Sequence, residues 1–366
     1  MRKNLIITIN DNGNYGNRLQ NYALSVLLEA YGAVTTAKCN PYISNTVRDS
    51  LSPSFSLLRS IRDYFNYFWR YLHKDYLFLR FKKNISFTQK YIPDDVVTIT
   101  PFRLTCKDDK DFSHIVLGSD QVWNFNGMPN VGIPLRLGYF NGISIPVISY
   151  AASFGVSEVE ERVKPFFQKY LPRLKAISVR EDRGAEMVKE MTGLEATVVL
   201  DPTLMLTSDK WLEITENFVS DNDRYVLTYF LGRPSDEQER DIQAYAKEHG
   251  CRVRRMLDLR DKETYVAGPQ DFVELFSKAQ YVFTDSYHAC CFSILFHKQF
   301  TVFNRAGMTG KSSMNSRMET LFRLFDLDSV MMDSGLAPEI DYVKVDRLLE
   351  QHRRESQAWL DMAMEE

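Results

Sequence analysis

The feature that most constrains the fold of this sequence is a regular alternation of short apolar runs with amphipathic stretches. Runs rich in β-branched residues, each followed by a stretch with helical spacing, are typical of a parallel sheet covered by helices. The first half of the chain has predicted strands at residues 5–9, 114–117, 146–150, 176–179 and 197–200. Its predicted helices lie at residues 17–30, 159–171 and 182–191.

The alternation restarts after the polar stretch 220–224. The second half has predicted strands at 225–230, 252–256 and 281–284 and predicted helices at 237–248 and 271–279. Because 366 residues suit two domains, we predict an α/β protein with two Rossmann-like domains facing each other across a cleft. The expected boundaries are 1–206 for the first domain, 207–340 for the second, and 341–366 for a C-terminal helix that could return to the first domain.

Charge and cysteine content exclude several classes of protein. Forty-five basic and 48 acidic side chains give a net charge of -3, so no global field favours nucleic acid, and any anion site must be local. An odd number of cysteines without a CxxC pair argues against a disulfide framework and a zinc site. With no secretory or membrane-spanning segment apparent, we expect a soluble cytoplasmic protein or one lying on a membrane surface. The cysteines are Cys39, Cys106, Cys251, Cys290 and Cys291.

Residues 51–92 are predicted to form an insertion in the first domain, and residues 59–83 within it are rich in aromatic and basic side chains. Asp63 and Asp75 are the acidic residues of that segment. A basic aromatic helix can lie at a membrane interface or against a lipid-linked substrate. The alternative interpretation is an insertion whose aromatic residues pack on the core.

Ligands in open α/β sheets collect at the carboxyl ends of the strands, which directs attention to the loops there. The first loop, residues 11–18, contains Gly13 and Gly16, which permit a tight turn and a close backbone approach. Its candidate binding residues are Asn14 and Asn17. The loop lacks the GxGxxG spacing of a dinucleotide site, so a nicotinamide cofactor is not expected, and a simple turn without a ligand remains open.

The second loop, residues 118–124, combines hydrogen-bonding side chains with an indole. Hydroxyls of a sugar pair with amides and carboxylates, and a sugar ring packs on an aromatic face. Helix capping by the serine or the aspartate would explain part of the set. The candidate saccharide-binding residues are Ser119, Asp120, Gln121 and Trp123.

Two further loops carry candidate catalytic residues. Arg180 ends a predicted strand, and its planar donors suit a carboxylate or phosphate, although a surface ion pair with Glu181 or Asp182 would also explain it. His288 lies in the first turn of a predicted helix, where the helix dipole lowers its pKa, although a structural role is the alternative. Asp201, in the tail of the same domain as Arg180, fits a capped turn.

Residues 307–317 could also contribute to binding a phosphate. Residues 307–312 end like a P-loop, but Arg305 occupies the position of its first glycine, which argues against an NTPase. Lys311 and Arg317 remain candidate phosphate-binding cations.

Taken together, GNYGNRLQNYAL, GSDQVWN, SYAASFG, SVRE, VVLDPTL and DSYHA followed by FSILFHKQFTVF resemble the polysaccharide pyruvyltransferase family. The resemblance extends from Gly13 to about Leu327. It implies a GT-B-like fold, phosphoenolpyruvate bound in the cleft, Arg180 holding its anionic groups, His288 acting as acid, and no metal or organic cofactor.

One position departs from the family pattern. Many members carry Arg two residues before the histidine, and this chain has Ser286, so we expect Lys311 or Arg317 to supply the charge. The implied partners are phosphoenolpyruvate and a saccharide acceptor, free or lipid-linked, with peripheral membrane contact as an option and no nucleic acid. The alternatives are a GT-B-type glycosyltransferase with a nucleotide-sugar donor and a non-catalytic, membrane-associated scaffold.

Overall fold

The computed structural model describes residues 3–9, 13–39, 75–93, 98–100, 103–105, 112–128, 130–139, 145–304 and 315–365. The strands are β1 (Lys3–Ile7), β2 (Ala33–Thr36), β3 (Lys38–Cys39), β4 (Thr98–Thr100), β5 (Arg103–Thr105), β6 (Phe112–Gly118), β7 (Val147–Ala152), β8 (Ala176–Val179), β9 (Thr197–Val198), β10 (Tyr225–Tyr229), β11 (Arg252–Met256), β12 (Tyr281–Thr284), β13 (Phe300–Phe303) and β14 (Met331–Met332).

The α-helices are α1 (Tyr15–Leu28), α2 (Tyr76–Tyr91), α3 (Ile133–Arg136), α4 (Lys164–Tyr170), α5 (Asp182–Thr192), α6 (Pro202–Met205), α7 (Ser208–Leu212), α8 (Asp236–Glu248), α9 (Lys262–Tyr265), α10 (Pro269–Lys278), α11 (Tyr287–Leu295), α12 (Asn315–Phe325) and α13 (Tyr342–Met364). Short 3-10 turns lie at Glu29–Tyr31, Asn130–Gly132, Leu171–Arg173 and Asp328–Val330.

Two parallel sheets form the framework. The first has the strand order β2-β1-β6-β7-β8-β9, and the second has the order β11-β10-β12-β13-β14. All neighbouring strands within each of these two sheets run parallel. Helices follow most strands, as the alternation in the sequence predicts, so the predicted α/β class with two Rossmann-like sheets is confirmed. A small third sheet joins β3, β4 and β5.

The C-terminal helix α13 contacts residues in both halves of the protein. At its start, the Tyr342 hydroxyl donates to the carbonyl of Ser293 in α11. Near its end, Leu360 and Ala363 pack in one buried cluster with Ile6 of β1 and other residues of the first sheet. The helix therefore connects the second sheet back to the first.

The described part of the predicted insertion is helix α2. Its buried Phe87 packs edge-on against Tyr22 of α1, and Lys83 forms an ion pair of 2.5 Å with Asp271 of α10. These contacts agree with the interpretation in which the aromatic residues pack on the core. Residues 59–74 of the basic aromatic segment lie outside the described residues. Within the described chain, no helix combines the length and apolar character required to cross a membrane.

Candidate active site

The candidate active site lies where the carboxyl ends of the two parallel sheets meet. Asp120 follows β6, Arg180 follows β8, and Asp201 follows β9, all in the first sheet. His288 stands at the beginning of α11, just after β12 of the second sheet. Parallel strands carry all their carboxyl ends to one edge, so residues far apart in sequence come within contact distance.

Arg180 is the buried centre of this cluster. Its NH1 atom donates to Asp201 at 2.7 Å, its NH2 atom donates to Asp120 at 3.3 Å, and its guanidinium lies 4.5 Å from the centre of the Tyr287 ring. Burial opposes the charge, but Asp201 and Asp120 raise the pKa of Arg180 above its usual value, so the guanidinium stays protonated. The partners of Arg180 are therefore these carboxylates rather than its neighbours Glu181 and Asp182. Direct contact with a donor substrate stays a prediction.

Asp201 is the residue that the sequence analysis missed. Its carboxylate accepts from Arg180, from the Ser119 hydroxyl at 3.3 Å, and from the backbone and hydroxyl of Thr203 at 2.9 and 2.7 Å. Although burial opposes ionisation, Arg180 and His288 hold the pKa of Asp201 below its usual value. The hydrogen bond from the Thr203 backbone is the predicted helix cap. The same Asp201 carboxylate also contacts Arg180 in the first half of the chain and lies near His288 in the second half. The signal for this role is its place after β9, at the edge shared with Arg180.

Asp120 borders both the cluster and the open cleft. It adopts a left-handed backbone conformation with φ of 59°, which is uncommon for a residue other than glycine but more accessible to Asp than to most. Asn17 donates to its carboxylate at 3.2 Å, and Asn14 caps α1 by accepting from the Asn17 backbone. Burial raises its pKa, but Arg180 and His288 outweigh burial and lower the pKa of Asp120 to about 2. Asp120 is thus a fixed negative charge.

His288 sits between the charged cluster and the N-terminus of α1. Its Nε2 atom is buried, lies 3.8 Å from the Asp201 carboxylate, and has no hydrogen-bond partner among the described residues. Burial lowers the pKa of His288, Asp201 and Asp120 oppose that shift, and Arg180 and Arg317 reinforce it. The histidine is therefore mostly neutral near pH 7, and added negative charge in the cleft would favour its protonated form.

Gly16 is required for the position of His288. A Cβ atom at residue 16 would lie 2.1 Å from Nδ1 of the histidine ring, far inside van der Waals contact. The sequence predicts that some group comes close to the backbone of this loop. In the structure, that group is the side chain of His288.

Replacing Gly16 with alanine is expected to displace the ring of His288 and to lower turnover more than tenfold, because small misplacements of reacting groups are costly. In an ordinary helix the same change would stabilise by about 0.5–1 kcal/mol. Steady-state rates of the Gly16→Ala variant measure the effect. The matched control is Gly132→Ala, where the backbone has φ of -88° and the added Cβ would make only ordinary contacts of 3.7–4.0 Å with Met128. Unchanged turnover in Gly16→Ala would contradict the role given to this contact.

Arg317, in the first turn of α12, faces the same cleft. Its side chain is 5% exposed, and its guanidinium lies 5.9 Å from the centre of the Tyr287 ring. Both terminal nitrogens lie 3.1 Å from the Gln121 amide, whose oxygen accepts from them when the amide is oriented to satisfy its hydrogen bonds. Burial, with Arg180 acting in the same direction, lowers the pKa of Arg317 to about 10, so it remains charged near neutrality. Ser286 also lines the cleft. Lys311 lies outside the described residues.

An ion pair between the two halves holds α12 in place. Asp182, the first residue of α5, accepts two hydrogen bonds from Arg323 at 2.7 and 2.8 Å and one from Thr320 at 3.2 Å. Because Arg317 lies on the same helix, this bidentate contact fixes the distance between Arg317 and the first sheet.

Two of the candidate residues do not face the cleft. Trp123 is fully buried, its indole nitrogen donates to the carbonyl of Arg136 at 3.2 Å, and its ring packs edge-on against Phe154 and Phe167. Its ring therefore packs in the core rather than facing the cleft. Ser119 is equally buried and serves to hold Asp201.

Six candidates line one cleft together with apolar side chains of the second sheet: Asn14, Asp120, Gln121, Ser286, His288 and Arg317. Asn17 lines the adjoining depression, and Arg180 is buried. Residues from the first half, Asn14, Asp120 and Gln121, face residues from the second half. The second half contributes Tyr229, Leu231, Asp285, Ser286, Tyr287, His288, Val302, Phe303, Asn304, Arg317, Met318 and Met331.

Two Rossmann-like sheets with a charged cleft between their carboxyl edges define a GT-B-like α/β protein. The family model for polysaccharide pyruvyl transferase matches residues 14–307. The chain therefore belongs to the polysaccharide pyruvyl transferase family, and it is a transferase of that general kind. No curated protein matches the chain.

Several solved structures are similar over nearly their whole length. A UDP-GlcNAc 2-epimerase from Methanocaldococcus jannaschii has 11% identity and a TM-score of 0.44, with 96% of this chain and 99% of that chain covered. MnaA from S. aureus with UDP has 11% identity and a TM-score of 0.43, with 97% of each chain covered. The E. coli heptosyltransferase WaaC with ADP has 9% identity and a TM-score of 0.40, with 96% and 99% covered.

Proposed function

We propose that this protein transfers the pyruvyl group of phosphoenolpyruvate to a saccharide, forms a cyclic ketal on two sugar hydroxyls, and releases phosphate. The observation that carries the proposal is the convergence of His288 and Arg317 on one cleft between the two sheets. A histidine able to exchange a proton, next to a buried permanent cation, suits a small anionic substrate that must be protonated.

The proposed reaction begins with proton transfer from His288 to the methylene carbon of phosphoenolpyruvate. The adjacent carbon becomes cationic, and a sugar hydroxyl attacks it and loses its proton. The bond between that carbon and the phosphate oxygen then breaks, phosphate leaves, and a second hydroxyl closes the ketal. No oxidation or reduction takes place, so positioning, charge neutralisation and proton transfer suffice.

The charges of the cluster suggest separate roles for its two arginines. Arg180 holds Asp120 and Asp201 and thereby positions the loops that face His288. Arg317 faces the cleft and takes the part that an arginine two residues before the histidine has in many family members. At the border of the cleft, the Asp120 carboxylate accepts hydrogen bonds from the acceptor hydroxyls, and the Gln121 amide can donate to them or accept from them.

The acceptor is proposed to be a sugar of a polysaccharide or oligosaccharide precursor, either free or carried on a lipid. Phosphoenolpyruvate is a metabolite of the cytoplasm, so we place the reaction there.

A thermal-shift titration tests the donor. We expect phosphoenolpyruvate to raise the melting temperature of the protein, because a ligand that binds the folded state alone stabilises it by about 2.7 kcal/mol at a hundred times its dissociation constant. Uridine and guanosine diphosphates serve as the comparison ligands and should leave the melting temperature unchanged. Stabilisation by a nucleoside diphosphate but not by phosphoenolpyruvate would instead support a nucleotide-sugar transferase.

A further inference from the structure

A second and larger cavity adjoins the cleft at the carboxyl ends of β10 and β11. We call it the arginine cavity, and its polar lining includes Arg255, Arg260, Glu239 and Asp258. Its volume is about 650 Å³, whereas that of the cleft is about 80 Å³. The proposed donor chemistry does not use this space.

The charged groups of the arginine cavity hold one another in fixed positions. Arg255 donates to Glu239 at 3.0 Å, and Arg260 lies 3.3 Å from Glu239 and 2.6 Å from Asp258. These two cations and two anions balance, so this network does not attract a strongly charged ligand. It does offer alternating donors and acceptors, which match neutral hydroxyl groups because each hydroxyl can both donate and accept.

Apolar side chains complete the lining. Leu231 and Leu259 have 45% and 56% of their surface exposed, and both line the arginine cavity. Exposed large aliphatic residues next to fixed polar groups suit a ligand that has C–H faces as well as hydroxyls. A pyranose ring has this mixed character.

The arginine cavity adjoins the cleft at Leu231, which lines both. The Asp285 carboxylate fixes this loop by accepting from the backbone of Leu231 at 2.7 Å and of Gly232 at 2.8 Å. On its other side the cleft shares Asn14 and other residues with an open, amide-lined depression. The three spaces adjoin one another through shared lining residues, and we treat them as one groove, which suits a chain-like molecule.

We propose that the arginine cavity is a saccharide subsite that binds the sugar units next to the reacting one. This inference rests on the proposed function, since it assumes that the reacting sugar occupies the cleft. It gives the protein a preference for oligosaccharide acceptors over single sugars, through the hydroxyl contacts of Arg260 and Glu239 and the packing of Leu259 on a ring face.

The test uses an array of immobilised mono-, di- and oligosaccharides, probed with the labelled full-length protein in the absence of phosphoenolpyruvate. We expect oligosaccharides to bind at least tenfold more strongly than their single units. Arg260→Ala and Leu259→Asp should each lower that binding at least tenfold, because both side chains lie on the rim of the cavity. Leu212→Asp, another exposed leucine outside the groove, is the matched control.

Loss of binding in His288→Ala but not in the two rim variants would overturn the proposal, as would the absence of binding to any oligosaccharide. Because the array contains no phosphoenolpyruvate, its result is separate from that of the donor titration. A protein that is stabilised by phosphoenolpyruvate but shows no effect of the rim variants would lose this subsite and retain the proposed function.

Discussion

Replacing His288 with alanine is expected to lower the rate of pyruvyl transfer by about a hundredfold or more, the usual contribution of a positioned acid. The fold should tolerate the change, because Nε2 has no hydrogen-bond partner to lose among the described residues. His288→Gln, which keeps a polar side chain of similar size but cannot donate an acidic proton, should be equally slow. Steady-state rates with saturating donor and acceptor measure the effect.

The same histidine is expected to make donor binding depend on pH. Burial lowers the pKa of His288 in the free protein, and the negative charge of phosphoenolpyruvate would raise it in the complex. Binding then takes up a proton, so the affinity falls as the pH rises through the window between the two pKa values. In His288→Ala this component of the pH dependence should vanish, while protonation of the donor itself is the same for both proteins.

His249→Ala is the matched control for these experiments. This histidine is exposed and lies at the end of α8, before β11, and therefore at the opposite edge of the second sheet from the cleft. Its replacement should leave both rate and pH dependence unchanged. Equal rates for His288→Ala and the parent protein would exclude His288 as the acid.

Replacing Asp201 with alanine is expected to lower the free energy of unfolding by about 3–5 kcal/mol, the usual cost of removing one partner of a buried ion pair. The reason is that Arg180 would remain buried with Asp120, at 3.3 Å, as its remaining carboxylate contact. The hydroxyls of Ser119 and Thr203 would also lose their acceptor. Urea denaturation of the variant and the parent measures the difference.

Glu213→Ala provides the control for Asp201→Ala. Glu213 pairs with Lys210 at 2.6 Å, but both side chains are largely exposed, so its removal should cost at most about 1 kcal/mol. If Asp201→Ala were as mild as Glu213→Ala, Asp201 could not be the residue that holds the cluster together.

Much of the framework follows from hydrophobic pattern alone. The predicted strands 176–179, 252–256 and 281–284 match β8, β11 and β12. Strands β8 and β12 are short, mainly apolar or β-branched runs, whereas β11 has three arginines among its five residues. The bounds of β1 differ, since pairing with β2 and β6 begins at Lys3, a charged residue that the pattern leaves out. The sheet of β3, β4 and β5 was not predicted, because strands of two or three residues have no measurable periodicity.

The site was predicted in part. Residues that follow strands identified Asp120, Arg180 and His288, because the carboxyl ends of parallel strands share an edge. Which of these residues meet depends on the strand order of each sheet. The hydrophobic pattern of the sequence does not reveal that order. Local sequence therefore predicts Asp201 only as a helix cap, because its second role depends on Arg180, 21 residues away, and on His288 in the other half of the protein. Local sequence likewise does not show whether the side chain of Trp123, which follows a strand, turns toward the core or the cleft.

The most direct test of the proposed function is incubation of the protein with isotope-labelled phosphoenolpyruvate and a set of free and lipid-linked saccharides, followed by mass analysis. The proposed function predicts a saccharide that carries the labelled pyruvyl group as a ketal, with one phosphate released for each group transferred, and no such product from His288→Ala. Folded protein that leaves every saccharide unlabelled, or that instead transfers a sugar from a nucleotide donor, would contradict it.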